Sequence, residues 1–387
     1  MAAWKVPLAD LQFGPEEIEA VTQVLQSGWI SQGPKVQQFE AEFAQFLGVE
    51  HALAVANGTA AMHLACMALG LGPGDEVLCP SLTFVATANA IRYTGAQPCF
   101  VDIVGLHDLN LSPTDAACKI TPRTKAIMVV HYAGFAADMR AIEDMAAQHG
   151  LAIIEDCAHA PGAVYPSPPG NQKVGSRGSS ACFSFFSNKN LTTGEGGMVV
   201  TNDPALAERL RVTRSHGMTT LTWDRHRGHS FSYDVVAPGY NYRLDEMRAA
   251  LGLVQLSRLM AGNARRRELT NLYRQKLGEL PQVQLPFLSA NLEASACHLF
   301  PVLLRAEVDR AQFMSYLAEH GIQTSIHYPP IHKFSYYRQL WPPVYDHRLP
   351  HTEDIAAREV TLPLYPSMTN QQLAEVAGAI RDFFRKE

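Results

Sequence analysis

The sequence lacks the signals of several large classes of protein. It has no block of lysine and arginine interleaved with aromatic residues, and its net charge of −5 argues against nucleic acid as a partner. No segment approaches the roughly eighteen apolar residues of a membrane-spanning helix. The first residues, MAAWKVPLADLQFG, also lack the apolar core of a signal peptide. We therefore expect a soluble protein with no membrane partner.

Cysteine is present but is not paired in any recognisable motif. The seven cysteines are odd in number, no two of them form a C-x-x-C pair, and most lie within apolar runs. Such a distribution is typical of buried free thiols in the reducing cytoplasm. We expect a cytoplasmic protein, and we expect no metal ion.

Length and composition favour a globular chain with two domains. The chain has 387 residues, of which 47% are hydrophobic and 18% are charged, and this is more than one small core needs. A long amphipathic helix is predicted from about Leu244 and would bridge the two domains. We expect a large domain over residues 1–245, which includes an N-terminal arm. A linking helix and a smaller α+β domain would then occupy residues 246–387.

Between about residues 50 and 215, short β-branched runs alternate with amphipathic or alanine-rich stretches. These runs are apolar throughout, which is typical of a mainly parallel sheet with helices on both faces. The predicted strands lie in HALAVAN, EVLCPS, QPCFVDI, AIMVVHY, AIIEDCA, CFSFFS and GMVVT, and further strands lie in CHLFPVLL and IQTSIHY. Ligands of open α/β sheets bind outside the carboxyl ends of the strands, so the functional residues should lie there.

The turn Asn57-Gly58-Thr59 follows one predicted strand and precedes a helix. Free backbone N–H groups and the helix dipole make such a turn an anion site, and glycine lets an oxyanion approach the backbone. An ordinary helix cap by Asn or Thr is the alternative interpretation.

An acidic pair and an aromatic ring follow two other strands. Glu155 and Asp156 end an apolar strand, so one carboxylate should face the ligand crevice, although Asp156 could instead cap a helix. His159 could be a plain polar contact. Phe84 begins a helix after another strand, and it is either a core residue or a platform for a flat heteroaromatic ring.

Lys189 lies between two apolar runs in CFSFFSNKNLTTGEGGMVV. A buried ammonium is costly unless it is paired or neutralised, so Lys189 either reaches water or uses its nitrogen chemically. An anion site for a phosphate, an aromatic ring for stacking, a carboxylate and a lysine are together the groups that pyridoxal 5′-phosphate requires of a binding site. A Schiff base between the cofactor aldehyde and Lys189 would remove the buried charge.

At these residues the chain resembles the DegT-type sugar aminotransferases, a branch of the aspartate-aminotransferase-like, fold type I, pyridoxal-phosphate enzymes. The resemblance runs nearly end to end. It includes SGWISQGPKVQQFE (27–40), NGTAAMHLA (57–65), IIEDCAHAPGA (153–163), SFFSNKNLTTGEGGMVVT (184–201) and PGYNYRLDEMRAALGLVQL (238–256). It implies an α/β fold in which helices sandwich a mainly parallel, seven-stranded sheet, with a smaller α+β C-terminal domain.

The resemblance also implies roles for individual residues toward pyridoxal 5′-phosphate. Lys189 would form the Schiff base and carry the proton between substrate and cofactor, and Asp156 would pair with the pyridinium nitrogen. His159 would lie near the phenolic oxygen, and Phe84 would stack on the ring. The residues implied to hold the phosphate are Gly58, Thr59, Ala60 and Ser184.

Other implied residues concern the second subunit and the substrate. Asn241 of GYNYR would reach the phosphate of the neighbouring subunit, so the resemblance implies a homodimer with shared active sites. The sugar site would be shaped by Trp29, His327 and Tyr328. Segment 219–235 is longer and more basic than in several relatives. Its Arg225 and Arg227 could meet a nucleotide diphosphate, or the segment could be a solvated surface loop.

The implied reaction transfers an amino group from L-glutamate to a nucleotide-linked keto-sugar, giving an amino sugar for glycan or antibiotic biosynthesis. Three alternatives stay open. The acceptor could be a non-nucleotide ketone such as a cyclitol. The chain could be a pyridoxal-phosphate-binding regulator without turnover, or an α/β protein that binds another phosphorylated ligand.

Overall fold

The computed structural model describes residues 4–166, 172–220, 223, 228, 232–340 and 348–385. Its helices are α1 (Pro15–Ser27), α2 (Pro34–Leu47), α3 (Gly58–Ala68), α4 (Ala86–Tyr93), α5 (Pro113–Cys118), α6 (Met139–His149), α7 (Pro204–Arg214), α8 (Glu246–Leu277), α9 (Arg310–Glu319), α10 (Ser335–Leu340), α11 (Pro350–Arg358) and α12 (Asn370–Arg385). Its strands are β1 (His51–Val55), β2 (Glu76–Pro80), β3 (Gln97–Val101), β4 (Ile103–Gly105), β5 (Asp108–Leu111), β6 (Thr124–Val130), β7 (Ala152–Asp156), β8 (Ser180–Ser184), β9 (Gly197–Thr201), β10 (Val283–Gln284), β11 (Phe300–Leu304) and β12 (Glu359–Leu362).

The central sheet has seven strands in the order β1-β9-β8-β7-β6-β2-β3. The pairs from β8 to β3 are all parallel, whereas β9 runs antiparallel to both of its neighbours, β1 and β8. The predicted α/β fold with a mainly parallel, seven-stranded sheet is therefore confirmed.

Burial on both faces explains why the strands are apolar throughout. On β6, Ile127 and Val129 pack into one core with α2, α6 and the first half of α8. Ala126 and Met128 point to the other face, where α3, α4 and α7 pack. All four side chains are fully buried, and each large aliphatic side chain buried in this way stabilises the fold by about 1.5–3 kcal/mol.

A second sheet lies in the C-terminal part of the chain. Its strands β10, β11 and β12 are antiparallel, and they share a core with α12 and with the second half of α8. Helix α8 has 32 residues and runs from the central sheet to this second sheet. The division into domains at residues 245 and 246 stays a proposal.

The start of α8 is tied to the start of α2 by one carboxylate. Glu246, the first residue of α8, is 3% exposed. It accepts hydrogen bonds from the N–H groups of Gly33, Lys35 and Val36 at 2.8–2.9 Å. A carboxylate at this position satisfies unpaired donors at a helix N-terminus and complements the helix dipole.

The prediction of a strand in IQTSIHY (322–328) was wrong. Ile322 and Ser325 make only isolated bridges, to Val6 and Thr361 respectively. The segment does not continue as a strand of the second sheet. Its last two residues, His327 and Tyr328, instead line a cavity at the central sheet. Among the described residues, no helix has the length and apolar character needed to cross a membrane.

Candidate active site

A cavity of about 580 Å³ lies at the carboxyl edge of the central sheet. Segments that follow β1, β2, β7 and β8 form its walls, as the general rule for α/β sheets predicts. Most of the predicted site residues line it, namely Gly58, Thr59, Ala60, Phe84, Asp156, His159, Ser184, Lys189, His327 and Tyr328.

The N-terminus of α3 forms one end of the cavity and is also capped. The side-chain oxygen of Asn57 accepts a hydrogen bond from the N–H of Ala60 at 2.8 Å, so the ordinary cap considered from sequence is present. In the described part of the chain, the N–H groups of Gly58 and Thr59 have no acceptor and remain open to an anion. The N–H of Ala60 is already engaged, so a phosphate would reach it only in competition with Asn57.

Gly58 is required by a close approach to Ser184. A Cβ atom at residue 58 would lie 2.8 Å from the Cβ of Ser184, which is closer than packed carbon atoms can come. The backbone of Gly58 therefore packs against the side chain of Ser184 at this end of the cavity. This brings the predicted phosphate contacts of α3 and β8 together.

Asp156 is the last residue of β7 and is 5% exposed. No helix follows it, so the predicted alternative of a helix cap is not realised. Thr87 donates a hydrogen bond to one carboxylate oxygen at 2.8 Å, and the N–H of Ala158 donates to the other at 3.2 Å. Burial raises the pKa of Asp156, and these donors and the charge of Lys189 oppose that rise. A cation placed beside Asp156 would stabilise its charged form.

Glu155 faces the opposite side of β7, because successive side chains of a strand alternate. It accepts hydrogen bonds from Nε2 of His131 at 2.9 Å and from the N–H of Gly178 at 2.7 Å. Ligand atoms of His131, Glu155 and Cys157 lie within 4.8 Å of one another. Glu155 also accepts a hydrogen bond from Tyr165, so the His131–Glu155 pair is a satisfied, hydrogen-bonded part of the core, and Cys157 is a buried free thiol beside it.

Lys189 extends its amine into the cavity. Burial lowers the pKa of Lys189 to about 8, although the nearby charge of Asp156 acts in the opposite direction. A lysine with this pKa is neutral, and therefore nucleophilic, in an appreciable fraction of molecules near neutral pH. Lys189 is thus suited to form a covalent bond with a carbonyl carbon.

His159 and the aromatic rings of Phe84 and Tyr328 form a further part of the cavity wall. Nε2 of His159 lies 2.9 Å from the hydroxyl of Tyr328, and burial lowers the pKa of His159 well below its usual value. The ring of Phe84 is 58% exposed and lies 5.9 Å from that of Tyr328. Phe84 is therefore not a core residue, and its ring is free to contact a ligand.

Two of the predicted residues lie elsewhere, and two others cannot be placed. Trp29 does not line the cavity; its ring packs 4.7 Å from Trp223. Asn241 pairs with Ser215 and is likewise absent from the cavity wall. Arg225 and Arg227 of segment 219–235 lie outside the described residues.

Comparison with known proteins gives the family. A model of the DegT/DnrJ/EryC1/StrS aminotransferase family matches residues 12–381. This chain belongs to that family.

Relatives and solved structures agree with this membership. The spore coat polysaccharide biosynthesis protein SpsC of Bacillus subtilis is 42% identical over 96% of this chain and 95% of its own length. Helicobacter pylori PseC, an aminotransferase involved in the biosynthesis of pseudoaminic acid, superimposes with a TM-score of 0.90. It is 29% identical and is matched over 99% of this chain and 100% of its own.

A third relative has been solved with cofactor. The PLP form of Spr1654 from Streptococcus pneumoniae superimposes with a TM-score of 0.89 at 26% identity, over 98% of this chain and 99% of that one. A PMP form of Spr1654 is also known. The present chain is an aminotransferase with the fold of the type I pyridoxal-phosphate enzymes.

Sequence reasoning missed several residues of this aminotransferase. Thr87, which holds Asp156, lies in the first turn of α4, three residues after Phe84. Its position near a strand end was a usable signal. His298 contacts Lys189, yet it precedes β11 on a different sheet, so the strand-end rule could not find it.

Proposed function

We propose that this aminotransferase transfers the amino group of L-glutamate to the ketone of a nucleotide-linked keto-sugar, with pyridoxal 5′-phosphate held at Lys189. One observation carries the proposal. A single cavity brings together the amine of Lys189, the buried carboxylate of Asp156 and the open N-terminus of α3. The relation to SpsC and PseC supports a sugar as the acceptor.

The residues present fit this cofactor. The open N–H groups of Gly58 and Thr59 would hold its phosphate, and Asp156 is a buried carboxylate that a pyridinium would neutralise. Lys189 has the lowered pKa that a bond to an aldehyde requires. When bound, pyridoxal phosphate supplies an aldehyde that links to amines and a ring that withdraws electrons.

The chain's own residues would then perform the proton transfers and the orientation. The carboxylate of Asp156 would keep the ring nitrogen protonated, and the hydrogen bond from Thr87 would keep that carboxylate charged and directed. Once a substrate amine has displaced it, Nζ of Lys189 would act as a base toward the substrate carbon and then return the proton. Phe84 would hold the ring flat against one wall.

The rim of the cavity suits a sugar or a nucleobase. Phe84, Tyr93 and Phe186 all line the cavity and are 44–58% exposed, and exposed aromatic rings commonly mark sites that bind flat or weakly polar surfaces. We include a cytoplasmic location in the proposal, because every cysteine of the described chain is a free thiol and thiols persist in a reducing compartment.

The decisive test is turnover with a panel of acceptors. The protein is incubated with pyridoxal 5′-phosphate, L-glutamate and, separately, several nucleotide keto-sugars, a free keto-sugar and a keto-cyclitol. Mass spectrometry then follows the aminated product and 2-oxoglutarate. We expect product with at least one nucleotide keto-sugar and a loss of at least 10³-fold with Lys189→Ala.

Other outcomes distinguish the alternatives. Amination of the keto-cyclitol alone would replace the nucleotide-sugar proposal with the cyclitol reaction. Binding of the cofactor with no 2-oxoglutarate released from glutamate would favour a regulator. Failure to bind the cofactor at all would contradict the whole assignment.

A further inference from the structure

The amine of Lys189 has a neighbour that the sequence did not suggest. Nε2 of His298 lies 3.4 Å from Nζ of Lys189, and His298 is 4% exposed. We propose that His298 is a positioning residue whose Nε2 accepts a hydrogen from the free amine of Lys189 and so fixes the orientation of that amine. This inference rests on the role of Lys189 proposed above, but not on the identity of the sugar.

Asn190 determines which nitrogen of His298 carries the proton. The amide nitrogen of Asn190 lies 2.8 Å from two acceptors, the side-chain oxygen of Asn263 and the carbonyl of Ala296. Asn263 is oriented in turn, because its own amide nitrogen donates to the carbonyl of Pro161. The amide oxygen of Asn190 must therefore face Nδ1 of His298, at 2.9 Å. Nδ1 bears the hydrogen, and Nε2 is left as an acceptor.

The surroundings keep His298 neutral. Burial lowers the pKa of His298 well below its usual value, and nearby positive charges act in the same direction. Arg266 of α8 donates to the backbone carbonyl of His298 at 3.2 Å, which also holds the residue in place. The other titratable groups around the Lys189 amine are Asp156, His159, His327 and Tyr328. A neutral His298 can accept a hydrogen but has none on Nε2 to give.

The contact is available only while the amine is free. This is the case in the cofactor-free chain and, during turnover, after a substrate amine has taken the place of Lys189. A primary amine on a four-carbon chain rotates readily, and proton transfer requires its lone pair to point at the reacting carbon. An acceptor for one of its hydrogens removes much of that freedom.

Two substitutions separate the contact with Lys189 from the contact with Asn190. A glutamine amide occupies roughly the position of Nε2, so His298→Gln retains an acceptor near Lys189. An asparagine amide occupies roughly the position of Nδ1, so His298→Asn retains only the bond to Asn190. The measurement is the rate at which cofactor-free, full-length protein captures added pyridoxal 5′-phosphate, followed by absorbance from pH 6 to 10.

For the wild type we expect the rate to rise with pH to a plateau, with a midpoint near pH 8. His298→Gln should keep its plateau within about threefold of this and its midpoint unchanged. His298→Asn should lose at least tenfold in plateau rate. Its midpoint should fall by about one pH unit, because the ammonium form of Lys189 loses an acceptor.

Three results would overturn the proposal. The first is retention of the rate by His298→Asn with loss in His298→Gln, because the residue would then serve only Asn190. The second is an equal loss in both variants, and the third is no loss in either. The ¹⁵N spectrum of histidine-labelled wild-type protein needs no His298 variant, and a protonated Nε2 at His298 would refute the proposed acceptor directly.

A further variant separates this inference from the proposed function. Lys189→Ala should show no covalent capture, as measured by protein mass after borohydride reduction. If wild type captures the cofactor but aminates none of the tested sugars, the substrate proposal fails while the test of His298 stands. If wild type captures none, the role of Lys189 fails first.

Discussion

The buried position of Lys189, which suits its proposed chemical role, has a cost to stability. In the cofactor-free chain, burial lowers the pKa of Lys189 from its ordinary value of 10.5 to about 8. Between these values the folded chain binds fewer protons than the unfolded chain, so the free energy of unfolding rises with pH from about 8 to 10.5. Below pH 8 the full cost of holding the ammonium in the cavity is present.

Replacing Lys189 with methionine should therefore stabilise the cofactor-free protein. At pH 7 we expect a gain of about 3.5 kcal/mol, since the pKa of Lys189 is lowered from 10.5 to about 8 and one unit of pKa shift corresponds to about 1.4 kcal/mol. The gain should vanish as the pH approaches 10.5. Thermal unfolding of the two cofactor-free proteins between pH 7 and 10.5 measures it, with Lys125→Met, at an exposed position, as the control. A variant that is less stable than wild type at pH 7 would show that the site tolerates the ammonium without cost.

Among the elements, α2 depends on a carboxylate that belongs to α8. Glu246 accepts three backbone hydrogen bonds at the start of α2, and a charged acceptor contributes more than a neutral one. Glu246→Ala leaves two buried donors, the N–H groups of Gly33 and Val36, and one half-buried donor, that of Lys35, without this partner, so we expect a loss of about 3 kcal/mol. Glu246→Gln keeps one acceptor oxygen and should lose less.

Denaturant unfolding compares these two variants with Glu42→Ala, which removes an exposed carboxylate from the same helix. The control should change the free energy of unfolding by no more than about 0.5 kcal/mol. Equal stability of the alanine variant at residue 246 and the wild type would mean that water replaces the carboxylate at this helix end.

The elements that could be predicted from the sequence are those whose pattern reports local burial. The strands of the central sheet are buried on both faces, so their apolar runs identified them. The strand predicted in IQTSIHY failed because its residues serve different neighbours. Ile322 bridges to Val6, Ser325 bridges to Thr361, and His327 turns into the cavity.

Residues in and around the cavity differ in the same way in whether their sequence position reports their location. Asp156 and Gly58 lie at or just after the carboxyl ends of strands, which is where open α/β sheets bind ligands. Their positions in the sequence were therefore informative. His298 reaches Lys189 across the two sheets, and its proton is placed by Asn190 and Asn263. Such contacts arise from packing between distant segments, and no spacing in the sequence reports them.

For the whole molecule, the proposed dimer can be tested by mixing two inactive variants. Asn241 lies outside the cavity of its own chain, which is consistent with a role in the site of a second subunit. Lys189→Ala removes the amine of one site, and Asn241→Asp would repel the phosphate of the other. If the sites are shared, hybrid dimers contain one intact site in two, and random mixing gives hybrids as half of all dimers. Mixing equal amounts should therefore restore about a quarter of wild-type activity, as measured by release of 2-oxoglutarate.

The control for this experiment is Lys189→Ala mixed with Lys189→Met, which has no intact amine in any combination. It should stay inactive. Activity that is not restored by mixing the first two variants, although sedimentation shows mixed dimers, would place Asn241 outside the partner's site.

Helix α8 sets a limit on how substrates enter and leave. Its 32 residues make a rod of about 48 Å at 1.5 Å per residue, anchored by Glu246 at one end and by the second sheet at the other. A hinge motion between the central sheet and the second sheet would need a flexible connecting segment. Here the continuous helix α8 connects the two sheets. Access of substrates to Lys189 should therefore be controlled at the entrance of the cavity, by rotation of the exposed aromatic side chains that line it.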